Sequence, residues 1–240
     1  RQSNRPVLNT KMLKELEFLK LDVTPEVLKS MMDIYVKAIE AAPHNWMAVD
    51  QYARFLNYYG ELDQAIEYWK KILQLIPHHV MARFELGRAL SRDRKSMSQA
   101  ETYLREAIDL RPHIPEIYTE LGRCLGRQEK IEEALEAFKQ ATDIQPSLIE
   151  AHVNMASALN LLGRKEQAIE RLNQALSIST NSIAAHLNMA RFLIPRKNWE
   201  KISFHLSEVL RLDPNHQEAQ DALSKAQSLA GSQSNRTINP

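Results

Sequence analysis

The 240-residue sequence predicts an all-α, right-handed α-solenoid of helix-turn-helix repeats. Three observations predict it. One segment recurs at a near-constant 34-residue period. Within each period, small and bulky residues keep fixed places. Glycine is confined to 6 residues, too few for a protein of strands and tight turns. At 44% hydrophobic and 25% charged, the chain has globular composition.

The recurring segment is EALEAFKQATDIQP, Glu133 to Pro146. Near-copies end at Pro77, Pro112, Thr180 and Pro214, so successive ends lie 35, 34, 34 and 34 residues apart. This places five units at 46–79, 80–114, 115–148, 149–182 and 183–216, the extra residue falling in the turn Asp93 to Ser98.

Position 8 of the five units holds Ala53, Gly87, Gly122, Ala156 and Ala190; position 20 holds Ala65, Ala100, Ala134, Ala168 and Ile202. Position 11 is always leucine, and position 24 is Trp69, Leu104, Phe138, Leu172 or Leu206. Antiparallel helices approach closely where small side chains meet, and bulky ones fill the space beside them. Each unit therefore reads as helix A, turn, helix B and a proline stop, because proline lacks the N–H that would continue a helix. Gly60 and Gly163 mark two of the turns between A and B, and Pro195 makes the fifth irregular. Ser96 or Ser98 is expected to cap helix B of the second unit.

The flanks extend the array. Residues 1–9 form an N-terminal extension, and 10–45 a degenerate helix pair, with Thr24 as N-cap and Pro25 opening its second helix. Residues 217–230 read as a polar capping helix that covers the last apolar face, and 231–240 as a disordered tail.

The combination of small residues at 8 and 20, a bulky residue at 24 and proline at 32 resembles the tetratricopeptide repeat, TPR, over 46–216. Thr180 in place of proline and Ile202 in place of alanine depart from the pattern. The resemblance implies a protein-interaction scaffold whose A helices line a concave groove through positions 2, 5, 6, 9, 12 and 13.

On those positions the chain carries arginine. Position 9 reads Arg54, Arg88, Arg123, Ser157 and Arg191, and position 13 includes Arg92 and Arg127. Two readings stand. Asp50 with Arg54, Glu85 with Arg88 and Glu120 with Arg123 have the spacing of local helix ion pairs, worth about 0.2–0.5 kcal/mol each. Arg88 with Arg92, and Arg123 with Arg127, are like-charge pairs, which disfavour a helix unless an anion docks there. Asn154 and Asn188, at position 6 of successive units, match the asparagines with which some TPR superhelices hold a peptide backbone. The carboxylate clamp of other TPR domains is not matched, since Asp50 and Glu85 stand where it needs Asn or Lys.

The expected partner is thus a protein or peptide, extended or helical and acidic, held by Arg54, Arg88, Arg92, Arg123, Arg127, Asn154, Asn188 and Arg191. Self-association through the solenoid ends is compatible with this. The alternatives are a nucleic-acid-binding helical repeat, like the pentatricopeptide repeats, or a regulatory module of a longer enzyme. A formal net charge of +1 disfavours nucleic acid. No phosphate-loop, nucleophile-elbow or zinc-protease motif occurs, and no catalytic site, metal site or cofactor is expected. His78, His79 and His113 read as solvated loop residues, His152 and His186 as packing residues, and Cys124 as a buried small one. No run approaches the ~18 apolar residues of a membrane span, so no membrane insertion is expected. Because the chain opens on Arg1 rather than Met, it is expected to be a processed form or an excised domain. One cysteine favours the cytosol and leaves a periplasmic location open.

Overall fold

The computed structural model describes residues 24–238, with side chains to residue 230. The N-terminal extension and the first helix of the 10–45 pair lie outside the described residues. The described residues form twelve α-helices and no strand. They fall into two compact units divided between Ala89 and Leu90, each described by itself.

The first unit holds α1 (Pro25–Ala41), α2 (Trp46–Tyr58), α3 (Leu62–Leu75) and all but the last residue of α4 (Val80–Leu90). The Thr24 hydroxyl accepts from the Val27 amide at the start of α1, with Pro25 in the first helical position. Tyr35 docks α1, its ring stacked on Tyr52 at a centroid distance of 5.2 Å.

The second unit continues through a short 3₁₀ turn (Arg94–Ser96) into α5 (Met97–Leu110), α6 (Pro115–Arg127), α7 (Ile131–Ile144) and α8 (Ile149–Leu161). It ends with α9 (Lys165–Ile178), α10 (Ile183–Leu193), a 3₁₀ turn (Ile194–Arg196), α11 (Trp199–Leu212) and α12 (Gln217–Ile238). The residues at positions 8, 11, 20 and 24 are buried in all five repeats. Gly122 shows how close the approach is: a Cβ built there would stand 2.5 Å from the Phe138 ring.

Two further registers hold the repeats. The turn between helices A and B places position 15 in the left-handed region. Gly60 (φ 90°) and Gly163 (φ 76°) fill it without steric cost, while Glu129 (φ 64°) and Lys197 (φ 52°) adopt it as ordinary L-residues. At the turn between repeats, the side chain at position 4 of an A helix bonds the carbonyl six residues earlier. Arg83 donates to Pro77 O in the first unit. In the second, His152 Nε2 lies 2.8 Å from Pro146 O, His186 Nε2 3.0 Å from Thr180 O, and Gln220 Nε2 2.7 Å from Pro214 O. The histidines at position 4 therefore tie down the preceding turn.

Three local expectations need correction. Ser96 makes no side-chain cap to α5; Asp93 instead accepts from Lys95 N and Ser96 Oγ, because the extra residue winds this turn into a 3₁₀ segment. His79 is not merely solvated. Its Nδ1 accepts from Ala82 N at 3.0 Å as a helix cap, and its ring packs on Trp46. The last helix does not stop at residue 230 but runs to Ile238, since a single glycine, Gly231, costs a helix only about 1 kcal/mol.

Candidate functional site

The arginines at position 9 stand on the exposed side of their A helices, and carboxylates meet them there. In the first unit, Arg54 Nε lies 2.8 Å from Asp50 Oδ2, and its Nη1 lies 2.9 Å from Glu85 Oε1. Arg88 Nη2 lies 2.5 Å from the other oxygen of Glu85. Glu85 itself is only 2% exposed. Burial pushes its carboxyl up from the ordinary range, and the Arg88 and Arg54 charges oppose that push.

In the second unit, Arg123 Nη1 lies 3.1 Å from Glu150 and 3.6 Å from Glu120. Arg191 Nη2 lies 2.6 Å from Glu218, whose carboxyl it holds below the usual carboxylate range. Arg92 is exposed but lies in the turn beyond Leu90, where α4 has ended. It is therefore not a helical neighbour of Arg88, and the like-charge argument applies only to Arg123 and Arg127, both on α6.

Arg127 differs from the position-9 arginines. Its Nη1 donates to Ser91 O at 2.9 Å and to Ser91 Oγ at 3.2 Å, both neutral acceptors. Ser91 Oγ donates in turn to the buried Glu120 carboxylate at 3.2 Å, and a guanidinium carries five N–H donors, so most of the hydrogen-bonding capacity of Arg127 stays available.

Arg123, Arg127 and Asn154 line one open cleft of about 220 Å³ between α6, α7 and α8. Gly122, Gly126 and Ala134 line it with Phe138, so its floor is backbone and ring rather than polar side chains. Ser157 and Leu161 complete the rim, Leu161 being 69% exposed. The Asn154 side-chain nitrogen is buried and has no hydrogen-bond partner among the described residues. The cleft thus offers a cation, an unsatisfied amide donor and an apolar wall. Asn188 lies half-buried on α10 and lines neither this cleft nor the one at α12.

That second cleft, about 180 Å³, lies between α10, α11 and α12 and contains Arg191. Trp199, Ile202 and Leu206 line it, and so does Lys225 of the last helix. Sequence reasoning singled out only Arg191 here. The other residues sit at repeat positions 17, 20 and 24 and on the capping helix, which the search for groove residues on helix A passed over. No group of three or more His, Cys, Asp or Glu among the described residues could hold a metal ion. No described helix is long and apolar enough to cross a membrane.

No curated protein matches the chain in sequence. Solved structures share its fold. The chain superposes on the APC/C hetero-tetramer Cut9–Hcn1 with a TM-score of 0.69 at 24% identity, over 83% of this chain and 39% of that one. For yeast Tom70 the TM-score is 0.73 at 18% identity, over 93% and 46% of the two chains. YrrB, reported as a TPR protein with an unusual peptide-binding site, gives 0.57 at 20% identity, over 78% and 96%. The chain thus spans less than half of the Cut9–Hcn1 and Tom70 chains it matches. The profile of the tetratricopeptide repeat matches residues 58–113, 93–149 and 119–183. Together with the repeated helix pairs and the buried small residues at positions 8 and 20, this makes the chain a member of the tetratricopeptide repeat family, whose fold serves protein–protein interaction.

Proposed function

We propose that the chain is a non-enzymatic scaffold that holds an acidic segment of a partner protein against the cleft of Arg123, Arg127 and Asn154. The observation that carries this reading is the contrast among the arginines. Arg54, Arg88, Arg123 and Arg191 each lie against a carboxylate of the chain itself. Arg127 bonds only neutral oxygens and keeps its charge beside a cleft in which the Asn154 amide lacks an acceptor. A carboxylate on Arg127 and a peptide carbonyl on Asn154 would satisfy both groups.

The test is a pull-down from the native source, followed by titration of the captured partner's binding segment. A charge-assisted hydrogen bond is worth about 1.5–3 kcal/mol, so Arg127→Ala should weaken affinity roughly ten- to a hundredfold. Asn154→Ala should weaken it less, and rising salt should weaken it further. Arg105→Ala, which removes a surface ion pair with Glu101 and Glu133, is the control and should bind as wild type. Equal affinity of wild type and the Arg127→Ala, Asn154→Ala double variant would place the partner elsewhere.

A further inference from the structure

The two clefts of the second unit are built at the same repeat positions, 68 residues apart. In the first, positions 17, 20 and 24 supply Ile131, Ala134 and Phe138; in the second they supply Trp199, Ile202 and Leu206. The helix that closes each cleft contributes its positions 6 and 9. These are Asn154 and Ser157 in the first, and Ala222 and Lys225 in the second. The asparagine of the first cleft is thereby replaced by a methyl group and its serine by a lysine, which adds a second cation to Arg191 at the edge. Ile194, half exposed, stands where the first cleft has Gly126, and it deepens the apolar wall.

We infer that the second cleft is a pocket for one bulky apolar side chain of a partner segment, phenylalanine or leucine, flanked by an acidic residue. This rests on the reading of the chain as a holder of protein segments. Size and charge both support the assignment. An apolar cavity of about 150 Å³ is known to take a benzene ring, and this one is about 180 Å³. At its rim Arg191 is paired with Glu218, whereas Lys225 is exposed and has no ion pair among the described residues. Two cations against one carboxylate leave one positive charge beside an apolar floor. The complement is an apolar side chain with a carboxylate on a neighbouring residue. The pocket lies on the face that carries the Arg127 cleft, so one extended segment running along the repeats can reach both.

Trp199 in the wall provides the readout, because the chain has only 3 tryptophans. The full chain is labelled with 5-fluorotryptophan, and the Trp199 resonance is assigned from Trp199→Phe. It is then titrated with acetyl-Asp-Phe-Asp-amide. The expected result is a saturable shift of the Trp199 signal, with Trp46 and Trp69 unmoved. Replacing the probe's phenylalanine by alanine should weaken binding about ten- to a hundredfold, the effect of leaving one large side chain unburied. A Lys-Phe-Lys probe should bind more weakly than the acidic one. Lys225→Glu, a change at an exposed residue, should reverse that preference, and Ala222→Leu should fill the pocket and abolish the shift. Arg127→Ala should leave this titration unchanged while lowering affinity for the native partner, which separates this inference from the proposed function. A Trp199 signal that stays still at millimolar probe, moves equally for phenylalanine and alanine, or ignores Lys225→Glu overturns the assignment.

Discussion

Gly122→Ala should destabilise the fold although it replaces glycine inside a helix. In an open helix the change gains about 0.8–1 kcal/mol from propensity. Here the new methyl carbon would stand 2.5, 2.7 and 2.8 Å from three carbons of the Phe138 ring, where ordinary contact begins near 3.4 Å. Phe138 is 4% exposed and cannot swing into solvent without emptying the contact between α6 and α7. Overpacking of this kind costs about 1–3 kcal/mol, so a net loss of up to about 2 kcal/mol is expected after the propensity gain. Leucine at position 24 is compatible with alanine at position 8, as Leu172 with Ala156 and Leu206 with Ala190 show, although the first two repeats pair Trp69 with Ala53 and Leu104 with Gly87. Gly122→Ala combined with Phe138→Leu should therefore recover most of the loss. The assay is the urea midpoint followed by far-UV circular dichroism, with the slope checked for loss of cooperativity, as repeat arrays require. A single variant as stable as wild type, or a double variant no better than the single, would refute the packing argument.

Two further outcomes are expected. Glu129→Gly should stabilise the fold by up to about 1 kcal/mol, read as a higher urea midpoint, because an L-residue at φ 64° carries strain that glycine lacks. Stability should also fall on acidification from about pH 6.5 towards pH 4. His205 faces His186 across α11 and α10, and burial, followed by the repulsion of His186 and Lys201, lowers its pKa to about 4 against the pull of Glu208. The unfolded chain takes up that proton near pH 6.5 and the folded one resists until about pH 4, so the unfolded state gains as pH falls through this window. The ceiling is about 3 kcal/mol, lowered by the ring's partial exposure. His205→Gln should flatten the pH dependence measured by thermal unfolding, and an unchanged profile would exclude His205 as its source.

The helix-pair architecture was legible because it rests on volume. Ala65, Ala100, Ala134 and Ala168 have to be small where helices touch, and period and composition both report that constraint. The N-cap at Thr24 was legible for a similar reason, since serine-like residues before proline have one common use there. What stayed hidden depends on where a side chain ends rather than where it starts. His152 and His186 read as packing residues, and each is buried, but the rings also hold a turn carbonyl through Nε2. For His186 that bond fixes one end of the ring: a carbonyl only accepts, so Nε2 carries a hydrogen, while Nδ1 lies 2.9 Å from His205 Nδ1 on the next helix. No spacing rule on one helix reveals a partner on the next.

The arginines make the same point and narrow the site. Their spacing to Asp50, Glu85 and Glu120 within one helix was visible, but their carboxylates on the following repeat were not weighed. Arg54 reaches Glu85, Arg123 reaches Glu150 and Arg191 reaches Glu218, each one repeat onward. Where position 9 is Ser157 instead, positions 2 and 6 of the next unit are Ala184 and Asn188, and no carboxylate is left over. The cation and its acid are present together or absent together, as expected of a tie between neighbouring repeats in an array that contacts little else. The Arg123–Glu150 and Arg191–Glu218 pairs are exposed and contribute about 0–1 kcal/mol each, so they orient the helices more than they stabilise them, whereas the buried Glu85 depends on Arg54 and Arg88 for its charge. An arginine occupied in this way must surrender a carboxylate before it can read one on a partner. Arg127 surrenders nothing but neutral oxygens, which is why recognition of an acidic segment is expected to turn on it and on Asn154 rather than on the whole ladder.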